Sequence, residues 1–396
     1  MTARVPALAL LLAVALVASA AATAVDNPAD PPGKRQVLAP TEAWRVGGED
    51  DEVFFGSVQR VLTGPEGRVL ILDNQLNQVQ VYGPDGQWQR SLGREGDGPG
   101  EVRGAADAWY LPDGRLCLAQ SFPGRLVYLN PDGTPGGQAQ YQPLGDPVTF
   151  VVAVAGRSVP AGMLLTGIRF NQSGGPEAQQ TFFLSTCDPS GEEQTVFLEK
   201  QYAINYADFR LDEAAMDFVY MNRFDADTDG TVYFAPDRDL YRIEVHGPAG
   251  ELLREFGRPV NAPPRSEQEK AIAVKVHEAI GANYGVPLRG VTVEDREAVI
   301  QNLWVRPGGE LWVRTPANAR PEGAFTLLDV FDAQGHFQHQ VELRLPGDPD
   351  RDGLFLLDDG RFAVVVGGLD AWLSQQGVES SSEDAPVLEV ICYEAK

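Results

Sequence analysis

Short apolar segments separated by glycine-containing turns recur along the chain at a regular interval. The first full set lies in residues 55–101, where four strand-like segments are divided by the turns "GPEG" and "GPDG". In the next window the turn glycines Gly114 and Gly133 follow Gly67 and Gly86 by 47 residues each. Proline presets φ and glycine accepts a positive φ, so such turns reverse the chain sharply. The pattern predicts consecutive four-stranded antiparallel units.

Six segments read as second strands and six as third strands, and several lack polar alternation. The second strands are "VLIL" (69–72), "LCLA" (116–119), "MLLT" (163–166), "VYFA" (232–235), "LWVR" (311–314) and "FAVVV" (362–366). Strands without alternation are buried on both faces. Sets of four strands at this period are typical of a β-propeller, whose blades pack face to face. The sequence therefore predicts an all-β, six-bladed β-propeller of four-stranded blades over residues 42–396.

The two chain ends are expected to close the ring together. The chain finishes at "VLEVICYEAK", a third strand, so the last blade is one strand short. The segment "EAWRVGG" (42–48) precedes the first blade and can supply the missing strand. Pairing these two segments removes two exposed sheet edges, which otherwise invite aggregation.

The link "GREGDGPGEV" (93–102) carries four glycines and is expected to join the outer strand of one blade to the inner strand of the next. A phosphate-binding loop would lead into a helix, whereas another strand follows here.

With the neighbouring strands, the link resembles the NHL-type six-bladed β-propellers over residues 42–133. Leu72-Asp73 and "NQVQVY" match that family's pattern, and Gln120-Ser121 departs from it. The resemblance implies the fold, and in this group the functions range from peptide, protein, RNA or sugar binding to a minority of enzymes.

The first residues predict an export signal. Arg4 precedes an apolar run, and small residues at 18–20 and 22–24 fit a cleavage site. The run falls short of the ~20 residues that a membrane span needs. We expect a signal peptide over 1–24, a flexible linker over 25–41 and a secreted or periplasmic mature protein with no membrane span.

Charge and cysteine content narrow the function classes. The net charge of −24 repels phosphate backbones, which disfavours nucleic-acid binding. The three cysteines, Cys117, Cys187 and Cys392, are too few for a disulfide framework and lack zinc-site spacing. Their apolar surroundings predict buried side chains, although an oxidising compartment permits one disulfide. We expect a monomer.

Extra residues fall on one face of the predicted ring, in the connections from strand two to three and from strand four to the next blade. They lie at 169–180, about 200–218, about 258–299, 315–323 and 367–386. Long loops gathered on one side favour a binding role, and neutral drift in loop length is the alternative. Residues 265–281 predict a helix capped by Ser266 and Glu269. A second helix is predicted over 293–300, and we expect the helices to form a flap over the mouth of the ring.

One motif suggests a cation. "DADTDG" (225–230) places Asp225, Asp227 and Asp229 at alternate positions, as at the start of a calcium loop. "DPDRDG" (348–353) repeats the pattern. Ca²⁺ is therefore the one cofactor that the sequence suggests. Neither motif has the later acidic ligand, and an ordinary strand turn is the alternative.

The central channel is the other candidate site. Propeller hydrolases of the gluconolactonase/paraoxonase type hold a central Ca²⁺ with Glu, Asn and Asp from inner strands. Here Gln59, Asp107, Asn222 and Asn302 stand near inner-strand starts and are candidate ligand-binding residues at the channel mouth. The alternative is a channel lining bonded to water and backbone.

Two functions follow. No catalytic set can be assembled from the four histidines, so the sequence favours a non-catalytic binding or scaffold protein for a peptide, protein or glycan. The alternative is a calcium-dependent hydrolase or lyase with its site at the channel.

Overall fold

The computed structural model describes residues 23–48, 53–145, 148–172, 176–220, 222–316, 319–378 and 387–395. The predicted signal peptide over 1–24 lies almost wholly outside them. In chain order the first strands are β1 (Thr23–Asp26), β2 (Gln36–Leu38), β3 (Thr41–Gly47), β4 (Val58–Thr63), β5 (Val69–Asp73), β6 (Gln78–Tyr82), β7 (Trp88–Leu92), β8 (Ala105–Tyr110), β9 (Leu116–Gln120), β10 (Arg125–Leu129), β11 (Pro135–Gln140), β12 (Phe150–Val159), β13 (Gly162–Gln172), β14 (Glu177–Cys187), β15 (Glu193–Asn205) and β16 (Arg210–Asp212).

The second half continues the same plan with longer insertions. Its strands are β17 (Phe224–Ala226), β18 (Val232–Phe234), β19 (Arg242–His246), β20 (Leu252–Gly257), β21 (Gly290–Thr292), β22 (Asn302–Val305), β23 (Leu311–Arg314), β24 (Thr326–Phe331), β25 (Phe337–Leu343), β26 (Gly353–Leu356), β27 (Phe362–Val366) and β28 (Glu389–Glu394). The described chain also holds three α-helices: α1 (Glu213–Met216), α2 (Glu267–Ala282) and α3 (Gly368–Gln375).

The chain is a six-bladed β-propeller. Blades one to five are β4–β7, β8–β11, β12–β15, β17–β20 and β22–β25, each an antiparallel sheet in sequence order. Blade six is β26-β27-β28-β3, with the N-terminal strand β3 antiparallel to the C-terminal strand β28. The predicted fold class and the predicted closure of the ring are both confirmed.

The hydrophobic core is divided among the six interfaces between neighbouring blades. Between blades one and two, Leu70 and Val79 pack with Leu118 and Val127, and a comparable buried cluster fills each of the other five interfaces. Central strands are covered on both faces, which explains their uninterrupted apolar sequences. Cys117, Cys187 and Cys392 are free and buried within these layers.

The segment predicted as a flexible linker, 25–41, contains strand structure. β1 extends blade four by pairing in parallel with β20, and β2 extends blade five by pairing in parallel with β25. Between them, the Asn27 side chain donates to the Gly257 and Gly335 carbonyls and accepts from the Phe337 N–H. We call residues 23–38 the strap, because they run along the outside of two blades before the chain enters blade six.

The insertions differ in form from the predicted loops. Most of 169–180 prolongs the strands of blade three, where β13 and β14 each have 11 residues. Helix α2 has the predicted Ser266 cap and Glu269 capping box, so the first predicted helix is confirmed. The second, over 293–300, is wrong. In that stretch the Glu294 N–H bonds to the Glu213 carboxylate and the Val299 N–H to the Arg238 carbonyl, so these groups are tied to other segments.

Candidate functional site

Four charged side chains of alternating sign connect the innermost strands of blades one to four. Arg60 on β4 lies 3.6 Å (Nε to Oδ1) from Asp107 on β8. Arg157 on β12 reaches Asp107 Oδ2 and, on β17, Asp225 Oδ1, both at 3.3 Å. First strands surround the axis of a propeller, so these four residues, which we call the axial chain, form ion pairs between neighbouring blades around the axis.

Backbone N–H groups of the next blade also donate hydrogen bonds to the carboxylates of Asp107 and Asp225. Asp107 Oδ2 accepts from the Gly156 N–H at 3.0 Å, and Asp225 Oδ2 accepts from the Val305 N–H at 2.8 Å. Burial raises the pKa of Asp225, although the Arg157 guanidinium acts in the opposite direction. Burial also lowers the pKa of Arg157, with the nearby Arg60 charge adding to the effect. The axial chain therefore consists of desolvated charges, and each one needs its oppositely charged neighbour to offset the cost of desolvation.

The other predicted channel residues lie apart from this chain. Gln59 is half-buried and donates to the Ser57 hydroxyl at 3.0 Å. Asn222 is exposed, and its backbone carbonyl accepts from the Leu303 N–H. Asn302 is half-buried at the start of β22. Within the described residues, no side-chain hydrogen bond connects Asn222 or Asn302 to Asp107.

The three carboxylates of the first calcium-like motif point to different places. Asp225 belongs to the axial chain, whereas Asp227 and Asp229 lie in the turn between β17 and β18. There Asp227 accepts from the Thr228 N–H and Asp229 from the Thr231 N–H. Across the described part of the chain, no three His, Cys, Asp or Glu side chains are arranged to hold a metal ion.

The axial residues do not fit the central Ca²⁺ of the propeller hydrolases. Calcium takes six to eight oxygen ligands, but two of the four axial side chains are guanidinium cations. The oxygens of Asp107 and Asp225 already accept from Arg157 and from backbone N–H groups. A divalent cation would have to displace Arg157 and then face the charge of Arg60. The sequence signal for this arrangement is the presence of Arg60 and Arg157 on inner strands, beside the acidic and amide residues predicted as ligands.

The second calcium-like motif fastens α3 to the ring. Asp352 accepts from the Asp348 and Gly367 N–H groups. Arg351 donates to both oxygens of the buried Asp370 in the first turn of α3, at 2.7 and 2.8 Å. These contacts give the motif a structural role in positioning the helix.

Helices α2 and α3 meet over one face of the ring, which we call the insertion face. At its C-terminal end α2 contacts α3 through a 3.0 Å bond from Asn283 to Gln376, and Gln375 reaches Asn74 in blade one. Tyr284, just beyond α2, bonds to Gln180 on blade three. At the other end, a cleft of about 280 Å³ separates the start of α2 from the loop 348–351. Helices α2 and α3 thus form a flap that reaches blades one and three. The flap predicted from the sequence differs, because it combined the first helix with one over 293–300, and α3 was not predicted.

A half-buried carboxylate on α1 anchors the flap. Glu213 accepts from both Arg265 Nη atoms at 2.8 Å and from the Glu294 N–H at 2.8 Å, and it lies 3.4 Å from Arg238. Burial opposes its ionisation, but these donors hold the pKa of Glu213 below its ordinary value. One side chain therefore ties both ends of the 265–294 segment to α1.

Exposed large apolar side chains mark the insertion face. Those in its loops and links are Phe54, Leu76, Phe122, Leu144, Leu240 and Val387. The remaining exposed large apolar residues lie on outer strands, and in the described chain none lies in a turn of the opposite face. Phe122 is 60% exposed and packs edge-on against Phe150, which stacks on Phe170. Phe122 is therefore held in place by two aromatic rings beneath it.

Comparison with known proteins gives similarity at the level of solved structures. No family model matches the sequence, and no curated protein matches it. The chain is similar to regucalcin, a calcium-binding protein of Agrobacterium tumefaciens (13% identity, 91% of this chain and 97% of that one, TM-score 0.44). It is also similar to virginiamycin B lyase from Staphylococcus aureus (10%, 87% and 83%, TM-score 0.41). A Bacteroides fragilis protein described as a candidate exported protein matches at 11% identity, 94% and 100% coverage and TM-score 0.48.

These similarities concern the propeller architecture, and none of the three structures is named as an NHL-type protein. In the described residues, no helix combines the length and the apolar character that crossing a membrane requires.

Proposed function

We propose that this chain is an exported, monomeric binding protein that holds a polypeptide ligand on its insertion face. The NHL-type resemblance and the signal peptide over 1–24 are parts of this proposal. The observation that carries it is the distribution of exposed apolar side chains, which occupy insertion-face loops and are missing from the described turns opposite. Loops carried by a rigid scaffold are where the binding residues of proteins concentrate.

A polypeptide suits this surface better than a nucleic acid or an anionic membrane. The chain carries a net charge of −24, which repels both and attracts cationic partners. Apolar anchors such as Phe54 and Phe122 provide the kind of contact that dominates protein interfaces. A glycan would stack on the same aromatic rings, so the experiment must distinguish glycan binding from peptide binding.

The calcium-dependent hydrolase has less support. Asp107 and Asp225 both pair with Arg157, so these two carboxylates are not free to bind a cation. Calorimetric titration of the mature protein with CaCl₂ tests this directly. We expect either no binding heat, or a heat that the Asp107→Asn, Asp225→Asn double variant also gives. A heat that is lost in the double variant would favour the enzyme.

Phage display of random dodecapeptides on the immobilised mature protein tests the binding proposal. We compare wild type with a rim variant, Phe54→Ser, Leu76→Ser, Phe122→Ser and Leu144→Ser. The matched control, Trp88→Ser, Leu252→Ser and Leu253→Ser, removes exposed apolar residues from outer strands. Enrichment should be lost in the rim variant and kept in the control. Equal enrichment on both, or binding on a glycan array without any peptide enrichment, would contradict the proposal.

A further inference from the structure

A groove on the flap has the features of a site for an extended peptide. It lies between α2 and the segment 286–291, which leads into β21, and its volume is about 360 Å³. Apolar side chains form its floor: Val274, Ala282, Val286, Leu288 and Val291. Gly281 permits this close approach, because a Cβ there would lie 3.0 Å from the Leu288 side chain. The groove thus has the volume to take a side chain, and a helix and a strand form its walls.

One wall of the groove is the outer strand of a two-stranded sheet. β21 pairs in parallel with β16, and the central residue of β16, Leu211, is 1% exposed, so β16 lies on the protein side. Among the described residues β21 has no other strand partner. Its second edge therefore presents backbone N–H and C=O groups that can pair with an added strand.

The two charged residues of the groove stand on opposite walls. Glu278 projects from α2 and Arg289 precedes β21, and both are exposed. In the described part of the protein neither forms an ion pair with the other or with a third residue. A peptide lying along β21 would meet an anion on one side and a cation on the other, so the groove can distinguish its direction.

We propose that this groove binds an extended segment of a partner polypeptide by strand addition to β21. The segment places an apolar side chain against Val274 and Leu288, a basic residue near Glu278 and an acidic residue or terminal carboxylate near Arg289. Alternate side chains of a strand point to opposite sides, so every second residue faces the groove. The inference deepens the proposed function by naming the ligand's conformation and charge pattern.

A hexapeptide array probed with the labelled full chain tests this inference. Each peptide has Lys at one end and Glu at the other, in both orders, with every pair of Ala, Val, Ile, Leu and Phe at alternate central positions. We expect retention of β-branched sequences in one charge order. The variant Glu278→Arg, Arg289→Glu should reverse that order, with about two- to fivefold changes per charge, as exposed ion pairs give.

Two controls separate strand addition from surface attraction. Exchanging another exposed pair on the same face, Glu95→Arg with Arg103→Glu, should leave the preferred order unchanged. N-methylation of alternate peptide amides should abolish retention in one register and spare it in the other, because only one edge of the added strand faces β21. Equal effects of both registers would overturn strand addition.

The remaining outcomes each contradict the inference. An array without retained peptides overturns it, and so does dimerisation of the chain that is lost in the Glu278→Arg, Arg289→Glu variant, since the occupant would then be a second copy. If phage enrichment depends on the rim residues while the array is unaffected by the groove variant, the proposed function stands and this inference fails. If enrichment also ignores the rim, both fail.

Discussion

At the scale of single residues, buried charge is arranged in small closed sets. Asp107, 1% exposed, lies between Arg60 and Arg157 and also accepts from a backbone N–H. His246 is held in a comparable way by Glu244 and the Gly250 carbonyl and stacks on Phe234. Charges removed from water remain stable only with such compensation, so their loss should be costly.

Replacing Asp107 with Asn should destabilise the protein. The change leaves Arg60 and Arg157 with one carboxylate, Asp225, near the axis, and breaking a buried pair costs about 3 kcal/mol of unfolding free energy. Urea denaturation measures the difference. The control Asp97→Asn removes an exposed partner of Arg103 and should cost less than about 1 kcal/mol. Equal midpoints for the two variants would show that the axial chain adds no stability.

His246 should make stability depend on pH. Burial opposes its charge, but bonds to Glu244 and the Gly250 carbonyl raise the pKa of His246 above its ordinary value of 6.5. Both partners accept, so both ring nitrogens must donate, which requires the protonated ring. Because the folded pKa exceeds the unfolded one, this stabilisation is complete below about pH 6.5 and is lost as the pH rises through the folded pKa.

The variant His246→Gln measures that contribution. Its loss of unfolding free energy relative to wild type should be larger at pH 5.5 than at pH 9. Adding Glu244→Gln to both proteins should remove the pH dependence of the difference. A constant difference between the two pH values would mean that His246 acts through packing alone.

At the scale of elements, the strap and the flap both lie outside the ring but pack on it in different ways. The strap adds β1 and β2 to the edges of blades four and five, so it covers outer strands that would otherwise be unpaired. The flap forms its own cluster, in which Phe209, Leu211 and Met216 pack with residues that follow α2. Yet 258–299 also supplies Ala262 and Val299 to the core between blades four and five. That segment is therefore partly structural.

Deleting residues 25–38, the part of the strap that follows the predicted signal peptide, should lower the melting temperature and leave the fold intact. The deletion removes two parallel pairings and the bonds of Asn27, while β3 still closes the ring. Calorimetry measures the shift, and circular dichroism checks that strand content persists. An unchanged melting temperature would show that the strap only lies on the surface.

Replacing Glu213 with Gln should loosen the flap. The neutral side chain loses its ion pairs with Arg265 and Arg238, so the 265–294 segment should open more often. Hydrogen exchange should become faster in that segment and stay unchanged in blades one and two. Faster exchange throughout the molecule would indicate global destabilisation instead.

At the scale of the whole molecule, stability depends on closure. Each blade packs on two neighbours, and the interface between blades six and one contains residues from both ends of the chain. Trp44 on β3 stacks on Tyr82 and bonds to the Pro84 carbonyl. It also packs against Gly86, where a Cβ would lie 2.5 Å from the Trp44 ring. The N-terminal strand is thus fixed to blade one as well as to β28.

Trp44→Ala should therefore weaken the entire ring. Loss of a buried tryptophan costs about 3–5 kcal/mol, and here it opens the interface that joins the termini. Urea unfolding followed by intrinsic fluorescence and by circular dichroism should show one earlier, coincident transition. The control Trp88→Ala, at a 55% exposed position, should change the midpoint little. Separate transitions would contradict cooperative closure.

The sequence by itself determined the repeat, the number of blades, the closing strand and the capped helix. These depend on local signals: turn residues at a 47-residue interval, apolar strands and the Ser266–Glu269 box. Burial on both faces leaves few other arrangements for such strands. The predicted helix over 293–300 failed because Glu213 and Arg238, distant in sequence, bond to backbone groups in that stretch.

Only the tertiary structure decided what the charged residues do. Asp225 and Asp227 are two positions apart in the sequence, yet one pairs with Arg157 near the axis and the other bonds within a turn. One wall of the groove, β21, is held in place by pairing with β16, which lies some 80 residues earlier in the chain. Ion pairs and grooves depend on three-dimensional distances between blades, and spacing along a single chain does not encode them.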